Sequence, residues 1–516
     1  MKDIVMFFEV HQPYRLDRRM HEKLIKKAIK GSLDPRDIED ALFDQDLNRL
    51  VIERAARKCY IPATSIIAET IRRFMGSDRK FMVSFGISGA FIEQALRWVP
   101  KVVDLFVDLV ATGLVELVAQ TYYHSLAFLI PPHYKELEDQ IKSHLKILED
   151  IFGVKPVSVE NTEFIYNNDL ACKLYSMGFK VILTEGVEWI LGWRSPNFVY
   201  RGYLCDIRVL TRNYRLSDDI GFRFSNNKWD QYPLTADKYA LWLAVTPGDV
   251  VVLAMDYETF GEHHWPESGI HEFLRYLPQE VLKHSHLRFS TPSRAAFAHD
   301  TVDVYDVPPW VTISWADERD LSAWLGNYIQ KNSFSMLLEL KRYIDAIDDP
   351  YLTRIWRLLT ISDHFYYMAT KFGSMEEVHQ YFSPYKNAVD AYVLYAQAIS
   401  ILFYIIAEKA RENPSKMLKN LVLPPEKAFY FKCFDLESLD ISAASVKEFL
   451  WISRSLPSEC IVYHLNRGDI QKWFREIYMV DDIANALDEI ARSDASADEK
   501  KNLMIKVIEN FLGERR

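Results

Sequence analysis

The sequence predicts an α/β fold over about the first 300 residues, followed by a largely helical region. Short apolar runs rich in β-branched residues alternate there with amphipathic segments of helical periodicity. Such alternation is typical of a parallel sheet with helices outside it, hence of an α/β barrel or an open α/β fold. Seven strand candidates within about 255 residues favour a closed barrel of slightly irregular kind.

The strands and the helices between them are predicted from these periodicities. The predicted strands are Ile4–Val10, Phe81–Ile87, Leu114–Ala119, Pro156–Glu160, Lys180–Thr184, Ile207–Leu210 and Val250–Met255. The intervening helices are predicted at Ala63–Met75, Phe91–Thr112, Tyr134–Phe152 and Asn168–Met177. Val250–Met255 is a continuous apolar run, which predicts a strand buried on both faces. Polar residues follow it at once, at a place where α/β folds carry functional side chains.

After Pro308-Pro309-Trp310 the pattern changes to helical spacing. Helices are predicted at Leu321–Tyr328, Ser333–Asp345, Tyr351–Phe372, Met375–Phe382 and Asn387–Arg411. We therefore predict three domains: an α/β domain over residues 1–305, a helical bundle over 306–413, and a small α+β module over 424–516. Short β-prone runs are Trp310–Ser314, Phe429–Phe431 and Cys460–Tyr463.

Composition limits the classes of partner. The formal net charge of −10 argues against nucleic acid. No apolar run reaches about 18 residues, and the nearest, Ala396 to Ala407, has 12 and predicts a buried helix, not a membrane span. The N-terminus runs straight into a strand without a signal-peptide layout. Five widely spaced cysteines predict reduced core residues of a cytoplasmic protein.

Polar residues at the predicted strand ends are the candidates for chemistry. They are Glu9 and His11 after the first strand, His124 after the third, Glu160 and Glu163 after the fourth, Glu185 after the fifth, Asp256 after the seventh, and the cluster Trp315 to Asp320. Convergent carboxylates are compatible with glycoside cleavage, with hard-metal binding, or with zinc hydrolysis. A single carboxylate after a strand is most often a helix cap, but a purely structural role for all of them is less expected.

Other chemistries are less well supported. No HExxH motif occurs, and the adjacent His263 and His264 point apart on a regular element, so metal catalysis is disfavoured. No Gly-x-Ser-x-Gly elbow occurs, which argues against a serine hydrolase. Gly86-Ile87-Ser88-Gly89 is a poor phosphate loop. A single buried histidine or tryptophan, taken alone, is as readily a core residue as a ligand contact.

Five motifs in order over roughly residues 1–330 resemble the sequence regions of glycoside hydrolase family 57, and the nearest branch is the archaeal family-57 α-amylases. The motifs are His11–Pro13 (HQP), Gly86–Gly89 (GISG), Asn161–Asn168 (NTEFIYNN), Met255–Glu262 (MDYETFGE) and Trp315–Asn327 (WADERDLSAWLGN). The resemblance implies an incomplete (β/α)7 barrel, whose active site is completed by the helical bundle. It also implies retaining cleavage of α-1,4-glucans such as starch or glycogen. We expect no metal and no cofactor.

Residue roles follow from the same resemblance. Glu163 matches the family nucleophile and Asp256 the acid/base, while Glu258 is expected to support them. His11 matches a sugar-binding position. Glu9 occupies a position that is often histidine in glucanotransferase members. The residues expected to bind substrate are Glu9, His11, His124, Trp265, Trp315, Asp317, Asp320 and Trp324.

Three alternatives stay open at this point. A 4-α-glucanotransferase would use the same residues, since transferase and hydrolase share the covalent intermediate. A non-catalytic glucan-binding protein or a metal-dependent sugar hydrolase would need other evidence. The tail, with Phe429–Phe431, His464–Ile470 and Trp473, resembles a small module of unknown function found on some sugar-active enzymes. The expected partner is an α-glucan, with no nucleic acid and no membrane, and the oligomeric state is not predicted.

Overall fold

The computed structural model describes residues 1–29, 35–132, 134–370, 383–433 and 437–513. Its strands are β1 (Lys2–Val10), β2 (Val83–Ile87), β3 (Val115–Val118), β4 (Ser158–Glu160), β5 (Val181–Glu185), β6 (Val199–Gly202), β7 (Arg208–Arg212), β8 (Val250–Asp256), β9 (Leu287–Ser290), β10 (Thr301–Tyr305), β11 (Phe429–Cys433) and β12 (Glu437–Ala443).

Helices make up most of the remaining chain. Its α-helices are Met20–Ile29, Pro35–Leu42, Gln45–Ala55, Ile61–Phe74, Gly89–Trp98, Pro100–Ala111, Lys135–Phe152, Asn168–Ser176, Glu188–Leu191, Tyr214–Gly221, Ala236–Val245, Ile270–Lys283, Pro292–Ala298, Ser322–Leu325, Tyr328–Ile347, Pro350–Leu358, Ser362–Tyr366, Ala388–Glu412, Pro414–Asn420, Val446–Ser455, Ser458–Arg467, Asp469–Glu476, Asp481–Arg492 and Ala497–Leu512. Ala56–Tyr60 continues the third of these as a π-helix.

The large sheet is built on β1. Strand β1 pairs in parallel with β2, β8 and β9, and β2 pairs in parallel with β3. A single parallel bridge, Ala119 to Val159, joins the end of β3 to β4. From there β4 pairs with β5, β5 with β7, and β7 returns to β8 at Arg212 and Val252. These parallel pairings form a closed cycle of seven strands, so the predicted mixed α/β fold with a parallel sheet is confirmed.

Strands β1 and β8 are buried on both faces, as their apolar runs predict. Val5, Phe7 and Val252 belong to one buried cluster, while Met6 and Leu253 belong to another that includes the surrounding helices. Successive side chains of a strand point to opposite faces, so each strand contributes to both clusters. The polar ends of the strands are thereby held in a fixed register.

Several local expectations are wrong. The predicted helix Phe91–Thr112 is two helices, because Pro100 begins the second and Val99 before it leaves the helical region at φ −140°. Trp310–Ser314 is not a strand but overlaps a 3₁₀ turn, Pro309–Val311. Cys460–Tyr463 lies inside a helix, Ser458–Arg467. The predicted helix Met375–Phe382 lies outside the described residues.

The cysteine expectation is wrong for one pair. Cys433 on β11 and Cys460 on its neighbouring helix form a disulfide. Cys59, Cys172 and Cys205 are free thiols, as expected. The pairing joins a strand and a helix that are 27 residues apart in sequence, a relationship that spacing alone does not reveal.

The helix Ala388–Glu412 is, among the described residues, one that is long and apolar enough to cross a membrane. Half of its most apolar stretch, 50%, is buried inside the protein. A core helix of a soluble protein meets the same criteria of length and composition, so this helix is weak evidence for a membrane span.

Two compact units make up the described chain. The first comprises residues 1–19, 40–331 and 360–391 and contains the seven-strand cycle. The second comprises residues 20–39, 332–359 and 392–516 and contains the hairpin of β11 and β12. The three domain boundaries predicted from the sequence stay predictions.

Candidate active site

A cavity of about 690 Å³ opens in the first unit, past the C-terminal ends of β1 and β8. Nine of the ten predicted site residues line it: Glu9, His11, His124, Glu163, Asp256, Trp265, Trp315, Asp317 and Trp324. Asp320 does not line the cavity. Its carboxylate accepts a hydrogen bond from the backbone N–H of Ser322 at 2.7 Å, at the start of the short helix Ser322–Leu325.

Strand register brings the carboxylates together. Glu9 on β1 lies directly beside Asp256 on β8 and beside Gly86 on β2. A Cβ atom at Gly86 would lie 2.8 Å from the Phe7 ring and 3.0 Å from Oε2 of Glu9. Glycine is therefore needed at position 86 because the Glu9 side chain occupies the space of a methyl group. The first glycine of the GISG motif therefore leaves room for the Glu9 side chain.

Glu163 sits on a 3₁₀ turn directly after β4, in the left-handed backbone region with φ +62°. Non-glycine residues held there store strain, which is typical of functional positions. Its Oε2 accepts a hydrogen bond from Nε1 of Trp315 at 2.7 Å, and its Oε1 accepts one from Oγ of Ser362 at 2.9 Å. Nε2 of His124 lies 3.6 Å from Oε1. The Glu163 carboxylate therefore faces three donor groups.

His124 links Glu163 to Glu9 through an amide. Nδ1 of His124 lies 2.9 Å from Oε1 of Gln120, whose Nε2 donates to Oε1 of Glu9 at 2.7 Å. Burial alone would lower the pKa of His124, but the hydrogen bond to Glu163 and the charges of Glu9 and Glu163 raise it to about 9. The imidazole is therefore cationic at neutral pH, and its charge faces Glu163.

Asp256 has the opposite environment. Loss of hydration and then the negative charge of Glu163 raise the pKa of Asp256 to about 7, although the charge of His124 opposes the shift. Glu163 is surrounded by donors, whereas Asp256 is held near its protonated form. A carboxyl group whose pKa is raised by a neighbouring carboxylate that faces hydrogen-bond donors is the arrangement of an acid beside a nucleophile or base.

Glu258, two residues after Asp256, accepts hydrogen bonds from two buried side chains. Its Oε1 accepts hydrogen bonds from the hydroxyl of Tyr60 and, at 3.3 Å, from Nε2 of Gln12. Burial and the neighbouring Asp256 raise its pKa to about 8. The supporting role predicted for Glu258 stays a prediction.

The adjacent histidines do not form a metal pair. His264 bonds to Oγ of Ser225 at 2.7 Å and lies 2.9 Å from the carbonyl oxygen of Ile220. Burial and then the neighbouring His264 lower the pKa of His263 to about 3, so it is neutral. Among the described residues, the group whose ligand atoms could hold a metal is Glu9, His124 and Glu160, with all three atoms within 4.8 Å of one another.

Asp363 is a site residue that sequence reasoning missed. It lies on the helix Ser362–Tyr366 and lines the cavity, with Oδ2 at 3.2 Å from Nε2 of His11. Burial raises the pKa of Asp363, but the hydrogen bond to His11 and the charges of His11 and His124 lower it to about 2. The sequence signal for this position is the segment Thr360–Asp363, where polar residues interrupt the helical pattern.

His11 completes this part of the cavity wall. Its Nδ1 bonds to Oγ of Ser88 at 2.7 Å, and its ring stacks on that of His124 with centroids 4.4 Å apart. Burial and then the charge of His124 lower the pKa of His11 to about 4, so the ring is neutral at physiological pH. Its Nε2 faces Asp363 from the cavity side.

Three tryptophans line the cavity in different ways. The Trp315 ring stacks on Phe164 at 4.9 Å and 15°, which leaves its Nε1 directed at Glu163. Trp265 is 60% exposed, and Nζ of Lys58 lies 4.5 Å from its ring centroid. Trp324 is buried, and its Nε1 has no hydrogen-bond partner among the described residues. A buried indole N–H without a partner is suited to a ligand oxygen.

Comparison with known proteins gives the family of this chain. The family model for glycosyl hydrolase family 57 matches residues 5–308. A candidate alpha-amylase from Methanocaldococcus jannaschii is 45% identical over 416 residues, which are 78% of this chain and 85% of that protein.

Solved structures share the fold. The 4-alpha-glucanotransferase of Thermococcus litoralis gives a TM-score of 0.54 at 16% identity over 85% of this chain, which spans only 62% of that enzyme. The GH57-type branching enzyme of Pyrococcus horikoshii gives a TM-score of 0.57 at 13% identity, over 79% of this chain and 90% of its own. On the extent of the family match and the identity to the relative, this chain belongs to glycosyl hydrolase family 57.

Proposed function

We propose that this protein cleaves α-1,4-glucosidic bonds of starch-like or glycogen-like glucans with retention of anomeric configuration. The observation that carries the proposal is the contrast between Glu163, which faces three donors, and Asp256, whose pKa is raised to about 7. Family membership and the resemblance of the chain to an alpha-amylase candidate support an α-glucan substrate. The closed cycle of seven parallel strands supports an incomplete (β/α)7 barrel as the catalytic domain.

The first step is attack by Glu163 on the anomeric carbon. A carboxylate oxygen of Glu163 forms a bond to this carbon while the bond to the leaving glucosyl oxygen breaks. The carboxyl proton of Asp256 passes to that oxygen, so the leaving sugar departs as a neutral alcohol. The products are a glycosyl ester on Glu163 and the ionised carboxylate of Asp256.

The second step reverses these roles. Asp256, now a carboxylate, removes a proton from a water molecule. The oxygen of that water attacks the anomeric carbon, and the ester bond to Glu163 breaks. His124 and Trp315 both face the Glu163 carboxylate, so their hydrogen bonds and charge stabilise it as it leaves. Two inversions at one carbon give overall retention.

Sugar binding is assigned to the cavity wall. The unpartnered Nε1 of Trp324 supplies a donor for a sugar hydroxyl, and the Asp363 carboxylate beside His11 supplies an acceptor. The exposed ring of Trp265 provides a flat apolar surface of the kind on which sugar rings stack. Asp317, which is exposed and lines the same cavity, is assigned to contacts with outer hydroxyls.

Incubation with maltoheptaose, followed by product analysis, tests this function. Shorter maltooligosaccharides alone indicate hydrolysis. Longer ones indicate a 4-α-glucanotransferase, in which a sugar hydroxyl replaces water in the second step. Unchanged maltoheptaose in the presence of binding would contradict both and leave a glucan-binding role. The matched control is the Glu163→Gln variant, which should give no new products under the same conditions.

A further inference from the structure

Behind the proposed nucleophile, a chain of hydrogen bonds runs through four buried side chains, from Glu160 through Glu9 and Gln120 to His124. Nδ1 of His124 lies 2.9 Å from Oε1 of Gln120. An amide oxygen can only accept a hydrogen bond, so Nδ1 carries a proton. The ligand atoms of Glu9, His124 and Glu160 lie within 4.8 Å of one another, but a metal ligand must be deprotonated. The group therefore does not suit a metal ion.

Glu9 fixes the orientation of the Gln120 amide. A side-chain hydrogen bond joins the buried carboxyl groups of Glu9 and Glu160, so this pair holds a proton between them. Oε1 of Glu9 accepts a hydrogen bond from Nε2 of Gln120 at 2.7 Å. Because its N–H group points to Glu9, the amide presents its oxygen to His124. Gly86 leaves room for this contact, since a Cβ atom there would lie 3.0 Å from Nε2 of Gln120.

Backbone contacts hold both ends of the Gln120–His124 contact. The backbone N–H of Gln120 donates to Nδ1 of His144 at 3.1 Å. Four residues later, the backbone N–H of His124 donates to the carbonyl oxygen of Thr121 at 3.1 Å, and His124 lies in the left-handed region with φ +50°. A non-glycine residue held in that region is strained and typical of functional positions.

We propose that Gln120 is a positioning residue for the glucan-cleaving reaction. Its amide oxygen holds Nδ1–H of His124, which directs Nε2 of the ring toward Oε1 of Glu163, 3.6 Å away. Gln120 does not line the cavity and so acts through His124. This role rests on the proposed function, because the charge of His124 matters to the reaction only if Glu163 is the nucleophile.

Gln120 is a neutral contact of an imidazole that charged groups surround. Burial lowers the pKa of His124, but the hydrogen bond to Glu163 and the nearby charges raise it to about 9. Removal of the Gln120 amide therefore takes away a hydrogen bond without changing the formal charge around the ring. The titratable groups that face His124 are Glu9 on β1, Asp256 on β8, Glu163 after β4, Asp363 on the helix Ser362–Tyr366, and His11, whose ring stacks on it.

NMR of protein labelled with ring-¹⁵N histidine tests the proposal without an assay of glucan cleavage. Spectra from about pH 6 to about pH 10 report the protonation of each ring nitrogen, and the signal absent from His124→Gln belongs to His124. Wild type is compared with Gln120→Met, Gln120→Glu and the control Gln471→Met. The control removes another buried amide, which donates to the carbonyl oxygen of Leu465 in the second unit.

We expect both ring nitrogens of His124 to be protonated at neutral pH in wild type, with one proton lost near pH 9. In Gln120→Met this loss should come at least about one pH unit lower, because Nδ1–H lacks its acceptor. A carboxyl group in Gln120→Glu can accept the same hydrogen bond, so this variant should titrate at or above the wild-type value. Gln471→Met should titrate as wild type.

Kinetics on maltoheptaose should follow the titrations. We expect kcat to fall about tenfold in Gln120→Met, with KM within about twofold of wild type, and to fall less in Gln120→Glu. A neutral His124 in wild type at neutral pH, an Nδ1 without a proton, or a wild-type titration in Gln120→Met would overturn the proposal. The first two results need only wild type, so the test holds if Gln120→Met does not fold. Unchanged maltoheptaose with wild type would instead overturn the proposed function, while the titration still reports whether Gln120 orients His124.

Discussion

Nε1 of Trp315 donates a hydrogen bond to Oε2 of Glu163 at 2.7 Å, although the two residues are 152 positions apart in the chain. The same indole ring stacks on Phe164, the residue after Glu163. Trp315 thus fixes both the carboxylate and the strained turn that carries it. The sequence predicts a sugar contact for Trp315, whereas these contacts support a role in positioning the proposed nucleophile.

Replacement of the proposed nucleophile gives the first prediction. Glu163→Gln keeps the shape of the side chain but cannot form the glycosyl ester, so kcat on maltoheptaose should fall by at least about 10⁴-fold. Glucan affinity, measured by electrophoresis through glycogen, should change little, since the cavity wall is intact. A variant that cleaves maltoheptaose at near wild-type rate would remove Glu163 from the role.

The raised pKa of Asp256 predicts the alkaline limb of the pH profile. The acid must carry its proton in the first step, so activity is present below the pKa and is lost as pH rises through it. We expect kcat/KM to fall above about pH 7, the pKa of Asp256 in the free enzyme.

Asp256→Asn supplies the control for this assignment. The variant should lose activity on maltoheptaose, yet it should retain the glycosylation step on a maltosyl substrate whose leaving group needs no protonation, such as a dinitrophenolate. That residual glycosylation, followed as release of dinitrophenolate, should show no alkaline limb near pH 7. A limb that persists in the variant would assign the titration to another group.

Loss of the indole donor should act on kcat more than on KM. Trp315→Phe keeps a ring to stack on Phe164 but removes the hydrogen bond to the Glu163 carboxylate. A bond to a charged group contributes about 1.5–3 kcal/mol, so kcat should fall roughly 10- to 100-fold. Trp310→Phe is the matched control, since Trp310 is 85% exposed and does not line the cavity. Equal kinetics for the two variants would contradict the positioning role.

The carboxylate of Asp363 should be needed for activity. Asp363→Asn removes a negative charge that helps keep His124 protonated, so the stabilisation of the Glu163 carboxylate weakens. It also removes the charged partner of His11. We expect kcat/KM to fall at least about tenfold. Unchanged kinetics, with normal thermal unfolding, would show that neither interaction contributes to the reaction.

The sequence predicts a site residue best where that residue directly follows an apolar strand in the chain. Val250–Asp256 is such a segment, and the structure places Asp256 at the end of a buried strand, beside Glu9. Asp363 could not be predicted in this way. It lies in a helical stretch without a motif, and the bridge between Ser125 and Ile361 places that stretch beside the third strand end.

Two local predictions fail because the surrounding structure, and not the local sequence pattern, decides the conformation of the segment. Cys460–Tyr463 is β-prone by composition, yet the helix Ser458–Arg467 buries Cys460, Ile461 and Leu465 on one face. Tertiary packing there overrides the intrinsic preference. Likewise, Trp310–Ser314 follows a pair of prolines, and the second proline begins a 3₁₀ turn. Within this segment, Ile313 forms a β-bridge with Tyr166.

The stereochemistry of the first product tests the central claim most directly. Proton NMR of maltoheptaose during the first minutes of cleavage reports the anomer released before mutarotation mixes the two forms. Double displacement through Glu163 predicts that the α-anomer appears first and that the β-anomer grows in later. Initial release of the β-anomer would contradict the covalent mechanism and the roles given to Glu163 and Asp256.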